Sequence, residues 1–175
     1  MGKNVLILGG ARSGKSRHGE ALAEAWPGPH VYIATAEAGD AEMEARIAAH
    51  RARRGAGWTT REAPRDLFAA LARTDDAGVR LVDCLTLWLS NLVVAGTDWE
   101  APAERLAEAL PGQLAPVILI SNEVGMGLVP DSRLGREFRD AQGRLNQMIA
   151  EAADEVRFVA AGQALRLKPP APETG

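Results

Sequence analysis

The stretch that decides the fold is Gly9-Gly10-Ala11-Arg12-Ser13-Gly14-Lys15-Ser16. Its spacing fits G-x-x-x-x-G-K-[ST], the pattern of a loop that cradles phosphate groups. An apolar run at residues 4–8 precedes it and predicts a buried strand, and a run rich in Ala, Leu and Glu at residues 17–26 predicts a helix. A strand, a glycine loop and a helix in this order are the context in which the pattern binds phosphates.

Each part of this loop has a predicted task. The glycines let the backbone wrap around a phosphate, the backbone N–H groups point inward, and the helix N-terminus adds positive potential. Lys15 is predicted to reach the β- and γ-phosphates, and the Ser16 hydroxyl is predicted to bind Mg²⁺. The alternative is a glycine turn that matches by chance, and the flanking strand and helix argue against it.

The rest of the chain alternates apolar runs with helical patterns, which predicts an α/β fold. Strands are predicted at residues 31–34, 79–83, 116–121 and 155–160, and a short extended segment at residues 58–62. Helices are predicted at residues 40–54, 66–73, 85–95, 99–110 and 132–152. We therefore expect one P-loop NTPase-like domain over residues 1–168, a mainly parallel sheet flanked by helices, and a disordered proline-rich tail at residues 169–175.

Composition narrows the function classes. The chain has 175 residues, of which 46% are hydrophobic and 25% charged, with a net charge of −3, as in an ordinary soluble domain. The mild acidity argues against a nucleic-acid partner. The single cysteine, Cys84, excludes an intrachain disulfide and a cysteine zinc cluster. No apolar stretch approaches the ~20 residues that span a membrane, and no signal peptide is recognisable, so we expect a cytoplasmic protein.

Asp83 is the second candidate member of the nucleotide site. It ends an apolar strand, and P-loop enzymes use such an aspartate to hold Mg²⁺ beside the serine of the loop. A strand can also end in aspartate at an ordinary turn. The preceding P-loop favours the magnesium role.

His50 is the candidate nucleophile. On the predicted helix at residues 40–54 it lies between Arg46 and Arg54, one turn away on each side. The two guanidinium charges could grip a triphosphate and favour the neutral imidazole, which can attack an α-phosphate. The alternative, which the spacing alone favours, is a histidine that serves only in the core.

Two further segments keep alternative interpretations. The first is the basic run Arg51-Ala52-Arg53-Arg54, whose default interpretation is a solvated helix end. It could instead bind nucleotide phosphates. A nucleic-acid patch is a third interpretation, and a single short basic cluster supports it poorly. Residues 125–130 follow the most apolar strand, at the place where ligands bind in open α/β sheets. They are equally consistent with a simple turn.

Taken in order, the motifs from about residue 3 to residue 168 resemble the bifunctional adenosylcobinamide kinase/adenosylcobinamide-phosphate guanylyltransferases. The similarity is carried by residues 9–17, Tyr32-Ile33-Ala34-Thr35, the helix with His50, Trp58 followed by Glu62, residues 81–91, Ser121-Asn122-Glu123-Val124-Gly125 and residues 133–147. One departure is Ala49, which stands where the family often has the first of two adjacent histidines. Because His50 matches the second, the candidate nucleophile is kept.

The resemblance implies two reactions of cobalamin biosynthesis. In one, ATP or GTP phosphorylates the aminopropanol hydroxyl of adenosylcobinamide. In the other, GTP guanylylates His50, pyrophosphate leaves, and adenosylcobinamide phosphate collects the GMP to give adenosyl-GDP-cobinamide. The resemblance also implies a homotrimer, and a nucleotide site that residues 9–16 share with Ala34, Thr35, Ala36, Arg51, Ala52, Arg53, Arg54, Glu62 and Asp83.

Two other functions stay open at the level of sequence. A P-loop kinase of another small molecule would keep Lys15, Ser16 and Asp83 but would form no covalent nucleotide adduct. A nucleotide-dependent switch protein would have no need for His50 between arginines.

Overall fold

The computed structural model describes residues 2–37, 54–55, 57–76 and 78–169. Its strands are β1 (Asn4–Gly9), β2 (His30–Ala34), β3 (Trp58–Glu62), β4 (Val79–Asp83), β5 (Val117–Asn122), β6 (Glu155–Ala160) and β7 (Gln163–Lys168). Its helices are α1 (Lys15–Glu24), α2 (Leu67–Ala72), α3 (Leu85–Val94), α4 (Glu100–Ala109) and α5 (Arg133–Ala152), with a 3-10 turn at Leu110–Gly112. No helix in these described stretches is long and apolar enough to cross a membrane.

The strands form one seven-stranded sheet in the order β3-β2-β4-β5-β1-β6-β7. Neighbouring strands pair in parallel, except β6 and β7, which are antiparallel. The predicted α/β fold with a mainly parallel sheet is confirmed. Because β1 to β6 run in the same direction, their last residues meet at one border of the sheet, here called the carboxyl edge.

Helices cover both faces of the sheet. On one face, α2 to α5 form a core with Leu6 and Leu119. On the other face, α1 packs in a second core that includes Ile7 and Ile118. Burial on both faces explains why β1 and β5 are apolar without alternation, since each side chain of a covered strand must pack against something.

Two helices begin at side chains that satisfy backbone N–H groups. Asp66 Oδ1 accepts a hydrogen bond from Ala69 N at 3.0 Å before α2, and Ser132 Oγ accepts one from Gly135 N at 3.0 Å before α5. Such caps compensate donors that have no partner inside a helix. They fix the start of each helix close to where the sequence predicts it.

The hairpin of β6 and β7 is the main difference from the sequence prediction, which ended the strands at residue 160. Its turn residues, Ala161 and Gly162, have φ angles of +50° and +77°, the backbone of a tight hairpin turn. β7 is almost wholly exposed, so it lacks the apolar run by which the other strands were predicted. The alternation of Leu165 and Leu167 with the basic residues Arg166 and Lys168 is the one sequence pattern that could have predicted this strand.

The remaining predicted elements agree with the structure wherever it describes them. The extended segment at residues 58–62 is a strand, β3. The predicted helix at residues 40–54 lies outside the described residues except for Arg54, and the tail does so beyond residue 169.

A buried carboxylate ties the hairpin to the N-terminus. Glu155 is fully buried, with Lys3 Nζ at 2.6 Å from Oε2. Arg157 Nε lies 2.6 Å from Oε1 and Arg166 Nε 3.1 Å from it. Burial by itself would raise the pKa of Glu155, but hydrogen bonds and charge from Arg157 and Lys3 lower that pKa to about 2.

We expect Glu155→Gln to lower the free energy of unfolding by about 3 kcal/mol at pH 7. The pKa of Glu155 is lower in the folded chain than in the unfolded chain. Its contribution is therefore complete above the unfolded pKa and is lost as pH falls from there toward 2. Urea unfolding of both proteins at pH 7 and pH 3 measures this. A stability difference that stays constant between these pH values would contradict it.

Candidate nucleotide-binding site

The predicted phosphate loop lies between β1 and α1, at the carboxyl edge. Gly14 has a φ of +95° directly before α1, a conformation that side chains other than glycine rarely adopt. Lys15 Nζ donates a hydrogen bond to Gly10 O at 3.1 Å, so the lysine side chain folds back across the loop. This is the arrangement of a P-loop, in which backbone N–H groups and one ammonium surround a common centre.

The turn of the β6–β7 hairpin closes one side of this loop. Gly162 N donates to Ser13 O at 2.8 Å, and a Cβ on Gly14 would lie 3.2 Å from Gly162 Cα. A Cβ on Gly9 would lie 2.5 Å from Val159 O, a distance that side chains do not tolerate. The glycines at positions 9 and 14 are therefore needed for close packing as well as for loop conformation.

Ser13 adds a polar group inside the loop. Its side chain is buried, and its Oγ has no hydrogen-bond partner among the described residues. A buried hydroxyl without a partner costs free energy. A phosphate oxygen seated in the loop could supply that partner.

Asp83 ends β4 at the same edge as the P-loop. Only β5 separates β4 from β1, which puts the two strands about 10 Å apart. Burial and the adjacent Asp83 carboxylate raise the pKa of the Cys84 thiol to about 11, and the Lys15 ammonium acts in the opposite direction. The Lys15 ammonium of the P-loop is therefore close enough to the end of β4 to lower the pKa of Cys84. The buried thiol stays protonated at neutral pH, which agrees with a packing role for Cys84.

Tyr32 connects two predicted site residues and was not itself predicted as one. Its hydroxyl donates to Asp83 Oδ2 at 3.2 Å, and the Arg54 guanidinium carbon lies 3.4 Å from the centre of its ring. Burial, followed by the charge of Asp83, raises the pKa of Tyr32 far above its usual range. Tyr32 therefore remains a neutral donor that orients the carboxylate. A tyrosine in an apolar strand shows nothing in sequence to separate this role from ordinary packing.

The other predicted residues of the described chain lie along the carboxyl edge. Ala34 pairs with Asp83 on one side and with Glu62 on the other. Thr35 is fully buried, and its hydroxyl donates to Cys84 O and accepts from Cys84 N, each at 2.7 Å. Its side chain thereby joins the ends of β2 and β4. Thr35 N donates to Asp83 O at 3.3 Å, and Ala36 follows in the loop beyond β2.

Four predicted residues are outside the described part of the chain: His50, Arg51, Ala52 and Arg53. Arg54 is the described residue that follows them, and its guanidinium lies on the ring of Tyr32.

A buried polar cluster supports the end of β5. Ser121 Oγ donates to Asn146 Oδ1 at 2.6 Å, and Gln142 Nε2 donates to Ser121 Oγ at 3.0 Å. Asn146 Nδ2 donates to Asn122 O at 3.0 Å. Asn122 pairs with Gly9 at the start of the P-loop, so the cluster holds the strand next to the phosphate site. The polar positions of α5 reveal this role only once the helix is placed against β5.

No group of three or more His, Cys, Asp or Glu that could hold a metal occurs within the described stretches. A magnesium ion at this edge would instead rely on Ser16, Asp83 and phosphate oxygens. Mg²⁺ commonly binds in this way, with few protein ligands and substrate phosphates.

The mainly parallel sheet and the glycine loop between β1 and α1 define a P-loop nucleotide-binding protein. The fold is similar to that of a KaiC-like protein from Pyrococcus horikoshii OT3, with a TM-score of 0.56, 15% identity, and coverage of 99% of this chain and 82% of that one. The family model described as cobinamide kinase / cobinamide phosphate guanyltransferase matches residues 5–167, and the chain belongs to this family.

Two relatives agree with this assignment over almost their whole length. The bifunctional adenosylcobalamin biosynthesis protein CobP of Pseudomonas aeruginosa is 50% identical over 93% of this chain and 96% of its own. The corresponding protein CobU of Salmonella typhimurium is 43% identical over 94% of this chain and 99% of its own.

Proposed function

We propose that this protein is a bifunctional enzyme of cobalamin biosynthesis that phosphorylates adenosylcobinamide and then transfers GMP to adenosylcobinamide phosphate. The observation that carries the proposal is an intact P-loop at the carboxyl edge, in a chain that the cobinamide kinase / cobinamide phosphate guanyltransferase family model matches over residues 5–167.

In the first reaction, the aminopropanol hydroxyl of adenosylcobinamide attacks the γ-phosphate of ATP or GTP. A new O–P bond forms, the bond between the γ-phosphorus and the oxygen that bridges to the β-phosphate breaks, the nucleoside diphosphate leaves, and the hydroxyl proton passes to water. The chain contributes positioning and charge: the loop backbone and Lys15 stabilise the phosphate oxygens in the transition state.

In the second reaction, an imidazole nitrogen of His50 attacks the α-phosphate of GTP. An N–P bond forms and pyrophosphate leaves. A phosphate oxygen of adenosylcobinamide phosphate then attacks the same phosphorus, the N–P bond breaks, and His50 is regenerated. Arg54, four residues after His50 in the sequence, contacts Tyr32, which in turn donates to Asp83. This chain of contacts supports a role for the segment that carries His50 beside the nucleotide site.

Magnesium is the proposed metal, with the Ser16 hydroxyl and the Asp83 carboxylate as its protein ligands, the latter through water. When bound, it would neutralise charge on the nucleotide phosphates. The donor set fits: a hydroxyl and a carboxylate are hard oxygen ligands, and Tyr32 holds the carboxylate in one orientation.

The remaining residues of the proposed site complete the nucleotide pocket. Ala34, Thr35 and Ala36 are assigned to it, because Ala34 pairs with Asp83 on one side and with Glu62, which ends the next strand, on the other. The basic run Arg51, Ala52, Arg53 and Arg54 is further assigned to the nucleotide phosphates.

The test is to incubate the protein with Mg²⁺, ATP and adenosylcobinamide, and separately with Mg²⁺ and GTP. Mass spectrometry should find phosphorylated adenosylcobinamide in the first mixture and a protein heavier by one GMP in the second. When the two mixtures are combined, adenosyl-GDP-cobinamide should form. Phosphorylation of a different small alcohol, with no protein adduct, would contradict the proposal.

We also propose a homotrimer, on the basis of the family resemblance, with the nucleotide site near a neighbouring copy. Multi-angle light scattering is expected to give three times the chain mass at working concentration. A fully active monomer would contradict this.

A cytoplasmic location, where GTP and ATP are available, and the lack of a nucleic-acid partner belong to the same proposal. The net charge of −3 supports the second point, since nucleic-acid binding needs a basic surface. Cell fractionation and a DNA-binding titration at low salt test these two statements.

A further inference from the structure

The β5–α5 loop, residues 123–131, exposes a cluster of large apolar side chains at the carboxyl edge. Met126 is 81% exposed, Leu128 96% and Val129 63%, and Leu134 at the start of α5 is 63% exposed. Three large apolar side chains within four residues of one loop that face water to this extent are unusual unless something covers them. Such a cluster therefore points to a binding partner.

The loop is held in shape by its own hydrogen bonds. Glu123 Oε1 accepts from the backbone N of Gly125 and, at 3.1 Å, from that of Met126. Arg136 Nη1 donates to Pro130 O at 3.0 Å and to Asp131 O at 2.7 Å. The apolar side chains are thus presented by a braced backbone, and a surface formed in advance loses less entropy when it binds.

The position of the β5–α5 loop beside the P-loop indicates which ligand would cover it. Glu123 N donates to Gly9 O at 3.1 Å, so the loop starts against the P-loop. The hairpin turn at Gly162 fills the opposite side of the P-loop. A phosphoryl acceptor must touch the γ-phosphate, and the β5 side is the side that the hairpin leaves open.

Arginine and acidic side chains alternate at the start of α5, next to the same loop. The Arg133 guanidinium is paired with Glu137, Nε to Oε1 at 2.6 Å, and the Nη1 atom of Arg139 is buried without a partner among the described residues. Gln142, one turn after Arg139, contacts Ser121 at the end of β5, so Arg139 lies on the side of that contact nearer the start of α5. A surface of this kind suits a large ligand with an apolar contact face.

We propose that the loop at residues 123–131, together with Leu134, binds the corrin ring of adenosylcobinamide and thereby places its hydroxyl at the P-loop. This inference rests on the proposed function and specifies where the acceptor of that same site binds. The methyl-rich corrin face packs on Met126, Leu128 and Val129, and the aminopropanol arm extends toward Gly9.

The test compares Leu128→Asp with the matched control Leu114→Asp. Leu114 is 71% exposed but precedes β5 at the opposite edge of the sheet. Leu128→Asp is expected to raise the KM for adenosylcobinamide at least tenfold, since it removes one apolar contact and places a charge against the ring. The KM for GTP, the circular dichroism spectrum and the sedimentation coefficient should match wild type. Leu128→Met keeps an apolar side chain at this position and should have the wild-type KM for adenosylcobinamide.

The possible results distinguish a failure of this inference from a failure of the proposed function. A wild-type protein that phosphorylates no corrinoid overturns the proposed function and the inference with it. An active wild type with an unchanged KM in Leu128→Asp, or an equal rise in Leu114→Asp, overturns the inference alone. A change of sedimentation coefficient in Leu128→Asp also overturns it, because the surface would then be a contact between copies of this chain.

Discussion

His50→Ala, incubated with GTP and Mg²⁺, is expected to gain no GMP, whereas the wild-type protein gains one and releases pyrophosphate. The imidazole is the proposed nucleophile, and without it no N–P bond can form. Phosphorylation of adenosylcobinamide should survive at least in part, because there the substrate hydroxyl is the nucleophile and the protein supplies positioning. Intact-protein mass spectrometry and a kinase assay on the same sample measure both effects.

The control for this prediction is His30→Gln. His30 Nε2 lies 3.1 Å from Ala23 O, at the amino end of β2, and the variant should accept one GMP as wild type does. The wild-type adduct should be labile in acid and stable in base, as a phosphoramidate is. An adduct that forms in His50→Ala, or one with the opposite lability, would place the nucleophile on another residue.

Lys15→Ala is expected to lower kcat/KM for phosphorylation by about a hundredfold to a thousandfold. The loss corresponds to about 3–4 kcal/mol of transition-state stabilisation, which is typical for one donor aimed at a transferring group. The fold should persist, because the Lys15 side chain crosses the surface of the loop and donates to Gly10 O within the same loop. Steady-state kinetics and thermal unfolding test the two halves of this expectation.

Arg73→Ala serves as the matched charge control. Arg73 is exposed at the end of α2, so the variant removes one positive charge far from the P-loop and should retain wild-type kinetics. Full kinase activity in Lys15→Ala would remove the basis of the phosphate-site assignment. Equal losses in both variants would mean that overall charge, rather than the loop, controls the rate.

The sequence alone was enough to predict the elements that form through local interactions. The P-loop follows from glycine conformation and from a lysine at a fixed spacing, and both operate within a few residues. The apolar runs of β1, β4 and β5 and the 3.6-residue period of α5 also report on their own neighbourhood. For these reasons the α/β class, most helix bounds and the candidate roles of Lys15 and Asp83 follow from the order of the residues.

Tertiary structure decided which of these residues meet. The order β3-β2-β4-β5-β1-β6-β7 puts Asp83 two strands from the P-loop and Gly162 against Gly14. The contact between Tyr32 and Asp83 joins residues that are 51 positions apart, and no local pattern encodes it. β7 escaped prediction because its stability comes from pairing with β6 and not from an apolar run of its own. Strand pairing joins residues that are far apart in the chain and depends on the packing of the whole sheet. A single sequence shows directly only the interactions between neighbouring residues.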